Sequence, residues 1–164
     1  MLILNGGSLA SLDSIVIFPF DDHSLPLQQG MKLELNQHGF KDNKKPVIPL
    51  GKEGAPDSNW IAFYGTVLRI NEELWMWYLG QGSDSEWHQR ICLARSTDGR
   101  AWIKPNLNLV EFNGNKKNNL VNMGDDIHIQ ACVILYEPEE SDPSKRFKMA
   151  FESRKYNSCL AVAY

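Results

Sequence analysis

RICLARSTDGRAWIKP, residues 90–105, is the stretch whose reading decides the fold of this 164-residue chain. An apolar run, RICLARS (90–96), leads into Ser-x-Asp-Gly-x-x-Trp and then Lys-Pro. Asp98 can accept backbone hydrogen bonds locally and Gly99 tolerates positive φ, so the chain turns sharply and returns through Trp102. Working outward, IAFYGTVLRI (61–70) reads as a strand, Asn71-Glu72-Glu73 as a tight turn and LWMWYLG (74–80) as a second strand. That second strand is apolar on both faces, which predicts packing between two layers. QGSDSEWHQ (81–89) is a polar loop, 90–96 the third strand, and LNLVEF (107–112) supplies a fourth.

The same order then begins again. IQACVILYE (129–137) matches the first strand, the Pro-containing stretch 138–145 lengthens the first turn, and RFKMAFES (146–153) matches the second strand. Phe147, Met149 and Phe151 share one face of it, and CLAVAY (159–164) matches the third strand. No window sustains helical periodicity. Repeated β-hairpins punctuated by a Trp turn are how propeller blades are written, so the expected fold is all-β, a partial β-propeller of about two and a half blades. Residues 1–60 hold opening strands and a long loop, 61–127 the first full blade, and 128–164 a second blade that breaks off. Within the opening part, SIVIFPF (14–20) reads as a strand and MKLEL (31–35) as a half-exposed one. Residues 39–59, rich in Lys, Asp, Asn, Pro and Gly, read as an irregular surface connection. Open blade edges expose unpaired backbone groups. The chain is therefore expected to be a fragment of a longer protein, or else a homo-oligomer whose copies cover those edges.

Composition narrows the function classes. A formal net charge of −3 and the lack of a clustered basic surface argue against a nucleic-acid partner. The Lys-dense spots at 41–45 and 116–117 sit among Asn, Asp and Gly, as solvated loops do. Cys92, Cys132 and Cys159 are widely spaced in apolar stretches and form no metal-ligand pair, so they read as small strand residues. No run reaches the ~18 apolar residues of a membrane span, and no basic n-region precedes the apolar start. The default location is cytoplasmic. No Gly-rich phosphate loop, nucleophile elbow or His-Glu-x-x-His is present, so no cofactor is implied.

FPFDD (18–22), YGTVL (64–68), MWY (76–78), the Asp-Gly-x-x-Trp turn and EFNGNKKNN (111–119), with His128 opening the next strand, carry a family resemblance. The chain resembles, from about Ile17 to Tyr164, the N-terminal part of bacterial glycosyl hydrolase-like proteins. Those have five-bladed β-propellers like those of the arabinanase, levansucrase and invertase clan. Asn115 stands where the family has Ser. The resemblance implies a glycoside hydrolase acting on oligo- or polysaccharide, with its site at the mouth of the central channel where innermost strands begin.

Glycoside hydrolysis uses two carboxyl groups flanking the scissile bond, one acid and one base or nucleophile. The resemblance places the first near Asp22, at the end of the first strand. Asp125 and Asp126 precede the inner strand opened by His128, and Glu152 closes an alternating strand beside Arg154. Asp22, Asp126 and Glu152 are the candidate catalytic acids, with Asp125 and His128 as substrate contacts. Trp87 and His88, in the loop 83–88, suit sugar stacking and hydroxyl recognition. The competing readings are an ordinary acidic loop at 125–126 and a surface Glu–Arg pair at 152–154. Asp98 and Trp102 fall in an outer turn and read as structural, with Trp102 a plug between blades. The alternative function is a non-catalytic carbohydrate-binding or interaction propeller.

Overall fold

The computed structural model describes residues 2–4, 15–17, 45–84, 88–125, 128–157 and 159–164. The chain divides into two compact units, 1–42 and 43–164. In the first unit, β1 (Leu2–Leu4) pairs antiparallel with β2 (Ile15–Ile17). The strand expected over 14–20 is thus described only at its start, with a partner that the sequence reading did not foresee. MKLEL (31–35) lies outside the described residues.

The second unit holds two three-stranded antiparallel sheets, each a simple meander. The first is β3 (Trp60–Ile70), β4 (Glu73–Gln81) and β5 (Gln89–Ser96); the second is β6 (Ile129–Tyr136), β7 (Phe147–Ser153) and β8 (Cys159–Ala163). The described helical turns are two short 3-10 pieces, Pro143–Lys145 and Arg154–Tyr156. The protein is all-β, and both passes of the repeat form where the sequence placed them. Local chemistry explains why. Asn71, at φ 54, makes the tight β3–β4 turn, and Asp142 caps the longer β6–β7 connection through Ser144 N.

β4 is sandwiched, as its two apolar faces predict. Trp77 and Leu79 join Ile91 and Leu93 of β5 and pack against Ile129, Cys132, Ile134, Met149 and Phe151 of the second sheet. On the opposite face Tyr78, Cys92 and Ala94 pack beneath Phe112, Leu120, Ile48 and Trp102. Phe147 is wedged between the sheets, with ring centroids 6.0 Å from Trp75 and 5.8 Å from Trp77. These three rings plug the space between the two sheets. Trp102, expected as that plug, instead covers the far face of the first sheet, its Nε1 donating to Gly99 O at 2.9 Å.

The two sheets stack front to back. In an antiparallel strand, backbone direction and side-chain face alternate together, and L-chirality ties one to the other. Leu93 N donates to Asn119 O and Val121 N to Ile91 O, so these β5 residues turn their backbones away from β4 while their side chains face the second sheet. In the second sheet, Arg154 N donates to His128 O and Glu137 N to Arg146 O, so even-numbered β7 residues turn toward β6. The rung Thr66–Trp77–Leu93 therefore corresponds to Val133–Ala150–Val162. The former is packed against the second sheet, whereas all three of the latter are exposed. The front of one sheet lies on the back of the next, and the first strands of each, β3 and β6, make the most extensive contact between sheets. Ile134 N donates to Thr66 Oγ1 at 3.0 Å across that seam.

The expected fourth strand, 107–112, does not form a ladder. Asn108 (φ 58), Asn113 (φ 49) and Gly114 (φ 74) enter left-handed conformations that break extended backbone. Short contacts cover the outer edge of β5 instead: Arg95 pairs with Ile103, and Cys92 bridges to Leu120. Leu107 packs on one core and Val110 on the other, so the loop straddles the sheet edge. The apolar positions were legible; the strand was not.

Candidate active site

β3 and β6 both begin at one end of the unit, and the repeat brings the described candidates to that end. Ser153 pairs with Ile129, and Arg154 N donates to His128 O at 3.0 Å. His128 opens β6, Asp125 lies in the loop before it and Glu152 on β7 beside it. Three of the predicted residues thus fall at the same end of the second sheet, Asp125 and His128 on the segment leading into β6 and Glu152 within β7. Asp125 is largely exposed and accepts from Lys155 Nζ at 2.5 Å. That hydrogen bond and charge hold its carboxyl below the usual aspartate range, so it is ionised at neutral pH. Glu152 Oε1 stands 3.9 Å from Arg154 Nε, both side chains being partly exposed. The surface-pair reading of 152–154 therefore describes the resting geometry.

His88 occupies the corresponding end of the first sheet. Its Nδ1 lies 3.3 Å from Asp84 Oδ2, which also accepts from Arg90 at 2.6 Å. Burial alone would raise the Asp84 carboxyl; the hydrogen bonds and charge of Arg90, with His88, outweigh it and hold the group low. Asp22, Trp87 and Asp126 lie outside the described residues. Among the described residues, no group of three or more His, Cys, Asp or Glu is disposed to hold a metal ion. No described helix is long and apolar enough to cross a membrane.

One polar constellation escaped the sequence reading. Asp57 is 1% exposed, and its Oδ2 accepts from Tyr78 Oη at 2.7 Å and from Lys104 Nζ at 2.5 Å. Asn119 Nδ2 donates to Tyr78 Oη and to Leu93 O, both at 2.8 Å, and Lys104 also reaches Pro49 O at 2.7 Å. Burial, with Cys92 and Asp57 nearby, pushes the Tyr78 phenol far above its usual range, so it stays a neutral donor. Burial and Asp57 likewise push the Cys92 thiol up, which removes it as a nucleophile. The loop carrying Asp57 can lie on the sheet because Gly80 has no side chain. A Cβ there would come within 2.7 Å of Asp57 Cβ and 2.8 Å of Cys92 Sγ. A groove of about 760 Å³ opens beside this network, lined by Lys52, Lys104, Asn106 and Asn113 among others. Two of its asparagines are committed to turns: Asn118 Oδ1 accepts from Leu120 N, and Asn115 Oδ1 from Lys117 N. The network ties loop to sheet. Nothing in the sequence marked it, because Asp57 sits in a stretch that reads as surface.

Comparison with models of known families, with characterised proteins and with solved structures returned no match.

Proposed function

We propose that this chain is part of a carbohydrate-active β-propeller of the glycoside hydrolase type, taking oligo- or polysaccharide at the end where β3 and β6 begin. The observation that carries the reading is that Asp125, His128 and Glu152 fall at the same end of the second sheet. The front-to-back stacking of two equivalent sheets supports the propeller, since it is the relation between successive blades. In this scheme Glu152 is the acid that protonates the leaving oxygen, and Asp126 is the candidate for the paired carboxylate. Asp125, held ionised by Lys155, and His128 contact sugar hydroxyls. Trp87 and His88 extend the binding surface.

One observation favours a binding role without cleavage. Each described candidate carboxylate already has a basic neighbour, Asp125 with Lys155 and Glu152 with Arg154, whereas a general acid must hold its proton. The two readings separate in one experiment. The chain is titrated with arabino- and fructo-oligosaccharides by tryptophan fluorescence, and reducing-sugar release is followed in parallel. The hydrolase reading expects saturable binding with slow turnover, and Glu152→Gln lowering kcat about 100-fold or more while binding persists. Binding without turnover leaves the non-catalytic module. Absence of saturable binding to any of these sugars sinks both.

A further inference from the structure

We infer that the groove between the loops 51–57 and 104–119 is a saccharide-binding site in its own right, independent of the residues around the opening of β6. Both loops are internal to the 43–164 unit and cover the face of the first sheet turned away from the second. The floor is the buried network of Asp57, Lys104, Tyr78 and Asn119, and two acceptors of that network are left open. Asn119 is 4% exposed and lines the groove. Both hydrogens of its amide are used, on Tyr78 Oη and on Leu93 O. Leu93 O can only accept, so Nδ2 is held toward the sheet, and no described residue donates to Asn119 Oδ1. Asp57 takes both Tyr78 and Lys104 on Oδ2, and no described residue donates to its Oδ1. Buried polar atoms are nearly always hydrogen-bonded, so two open acceptors in one groove call for donors from outside the chain.

Lys104 supplies the complement. Its ammonium has three N–H donors, of which two go to Asp57 Oδ2 and Pro49 O. The third is left for the groove, which the side chain lines while 24% exposed. One cationic donor together with two open acceptor oxygens selects hydroxyl groups. A hydroxyl accepts from the ammonium while its own O–H donates to Asn119 or Asp57. A phosphate or carboxylate has only acceptors and would leave those oxygens unmet. Neighbouring hydroxyls on one ring can meet both oxygens at once, as those of a sugar do. The walls suit the same ligand: Phe112 and Pro56 give apolar surface for the C–H faces of a ring, and Asn106 adds an exposed amide. They are also preformed, because Gly82 lets the two loops close on it. A Cβ there would lie 2.4 Å from Phe112 Cζ and 2.9 Å from Ala55 O. At about 760 Å³ the groove falls within the ~300–1,000 Å³ of small-molecule sites. Its rim holds Lys52 and Lys117 against Glu53, which makes an anion the rival ligand.

An NMR titration of the isotope-labelled whole chain with arabinotriose, kestose and maltotriose tests this, with glycerol and inorganic phosphate as comparison ligands. Saturable shifts are expected with at least one trisaccharide, at the side-chain amide of Asn119 and the backbone amides of Lys104 and Asn106. They are expected to persist at high salt, because the ligand is neutral. Asn106→Trp puts a bulky ring into the groove from an exposed position and is expected to weaken binding there about tenfold or more. A circular dichroism melt checks its fold, and Lys117→Trp, from the same wall, takes its place if that variant does not fold. Shifts at the groove with none at His128 or Glu152 would uphold the site while the proposed function fails. Shifts at His128 and Glu152 alone would do the reverse and overturn it. Saturation by phosphate in place of the sugars, an equal response to glycerol, binding indifferent to the tryptophan variant, or no saturable shift at the groove with any of the three sugars would each overturn it too.

Discussion

Asp57 shows what a single side chain does in this fold. Its side chain is out of contact with water, ion-paired with Lys104 and accepting a hydrogen bond from Tyr78. Removing one partner of a buried pair is costly because the other is left without compensation. Asp57→Ala is expected to lower unfolding stability by about 3 kcal/mol, the lower end for such pairs, since Lys104 keeps partial access to water. Urea denaturation followed by tryptophan fluorescence measures it, and a loss below about 1 kcal/mol would show the network to be ornamental. Residues 39–59 were read from composition as a surface connection, and 45–59 do form an irregular loop without strands. That one aspartate in it turns inward could not be read, because its partners lie 21 and 47 residues away.

Among the elements, the 96–102 turn is the best case of local chemistry fixing structure. Ser96 Oγ accepts from Asp98 N and Gly99 N, and Asp98 Oδ1 accepts from Arg100 N and Ala101 N, each at 2.8 Å. Gly99 sits at φ 74, where a side chain would be strained. The backbone bonds from Ala101 and Arg100, with Ser96, depress the Asp98 carboxyl. The native value lies below the unfolded one, so the stabilisation is complete above about pH 4 and is lost as pH falls through the depressed value. A carboxyl-resolved NMR titration is expected to place the Asp98 midpoint below the ordinary aspartate value; a midpoint at or above it would contradict the turn's geometry. This element was legible because donor, acceptor and positive-φ residue lie within a few positions of each other. The 107–112 segment was misread because its apolar spacing outweighed a local signal: Asn108 and the Asn113-Gly114 pair, all exposed, take left-handed conformations that break extended backbone.

The two sheets of the 43–164 unit cohere through the wedge at Phe147, which touches Trp75, Trp77 and Tyr136. Aromatic contacts of this kind add to the area they bury. Phe147→Ala is expected to cost about 3 kcal/mol, less than for a fully buried ring. It also removes a neighbour shared by Trp75 and Trp77, so their emission should shift to the red in the native state. An unchanged spectrum together with unchanged stability would mean that the sheets are held together elsewhere.

Strand positions, tight turns and the all-β class follow from the sequence by itself, since period-two patterning and Asp-Gly or Asn turn chemistry act over a handful of residues. So does the doubling of the hairpin unit. Tertiary structure alone decided which face of each strand meets a neighbour, that Asp57 is buried, and that 103–121 caps an edge where a fourth strand was expected. Those outcomes rest on contacts between residues tens of positions apart, such as Tyr78 with Asn119 and Asp57 with Lys104. Local patterning encodes that a side chain is apolar or charged, but not the partner against which packing will satisfy it.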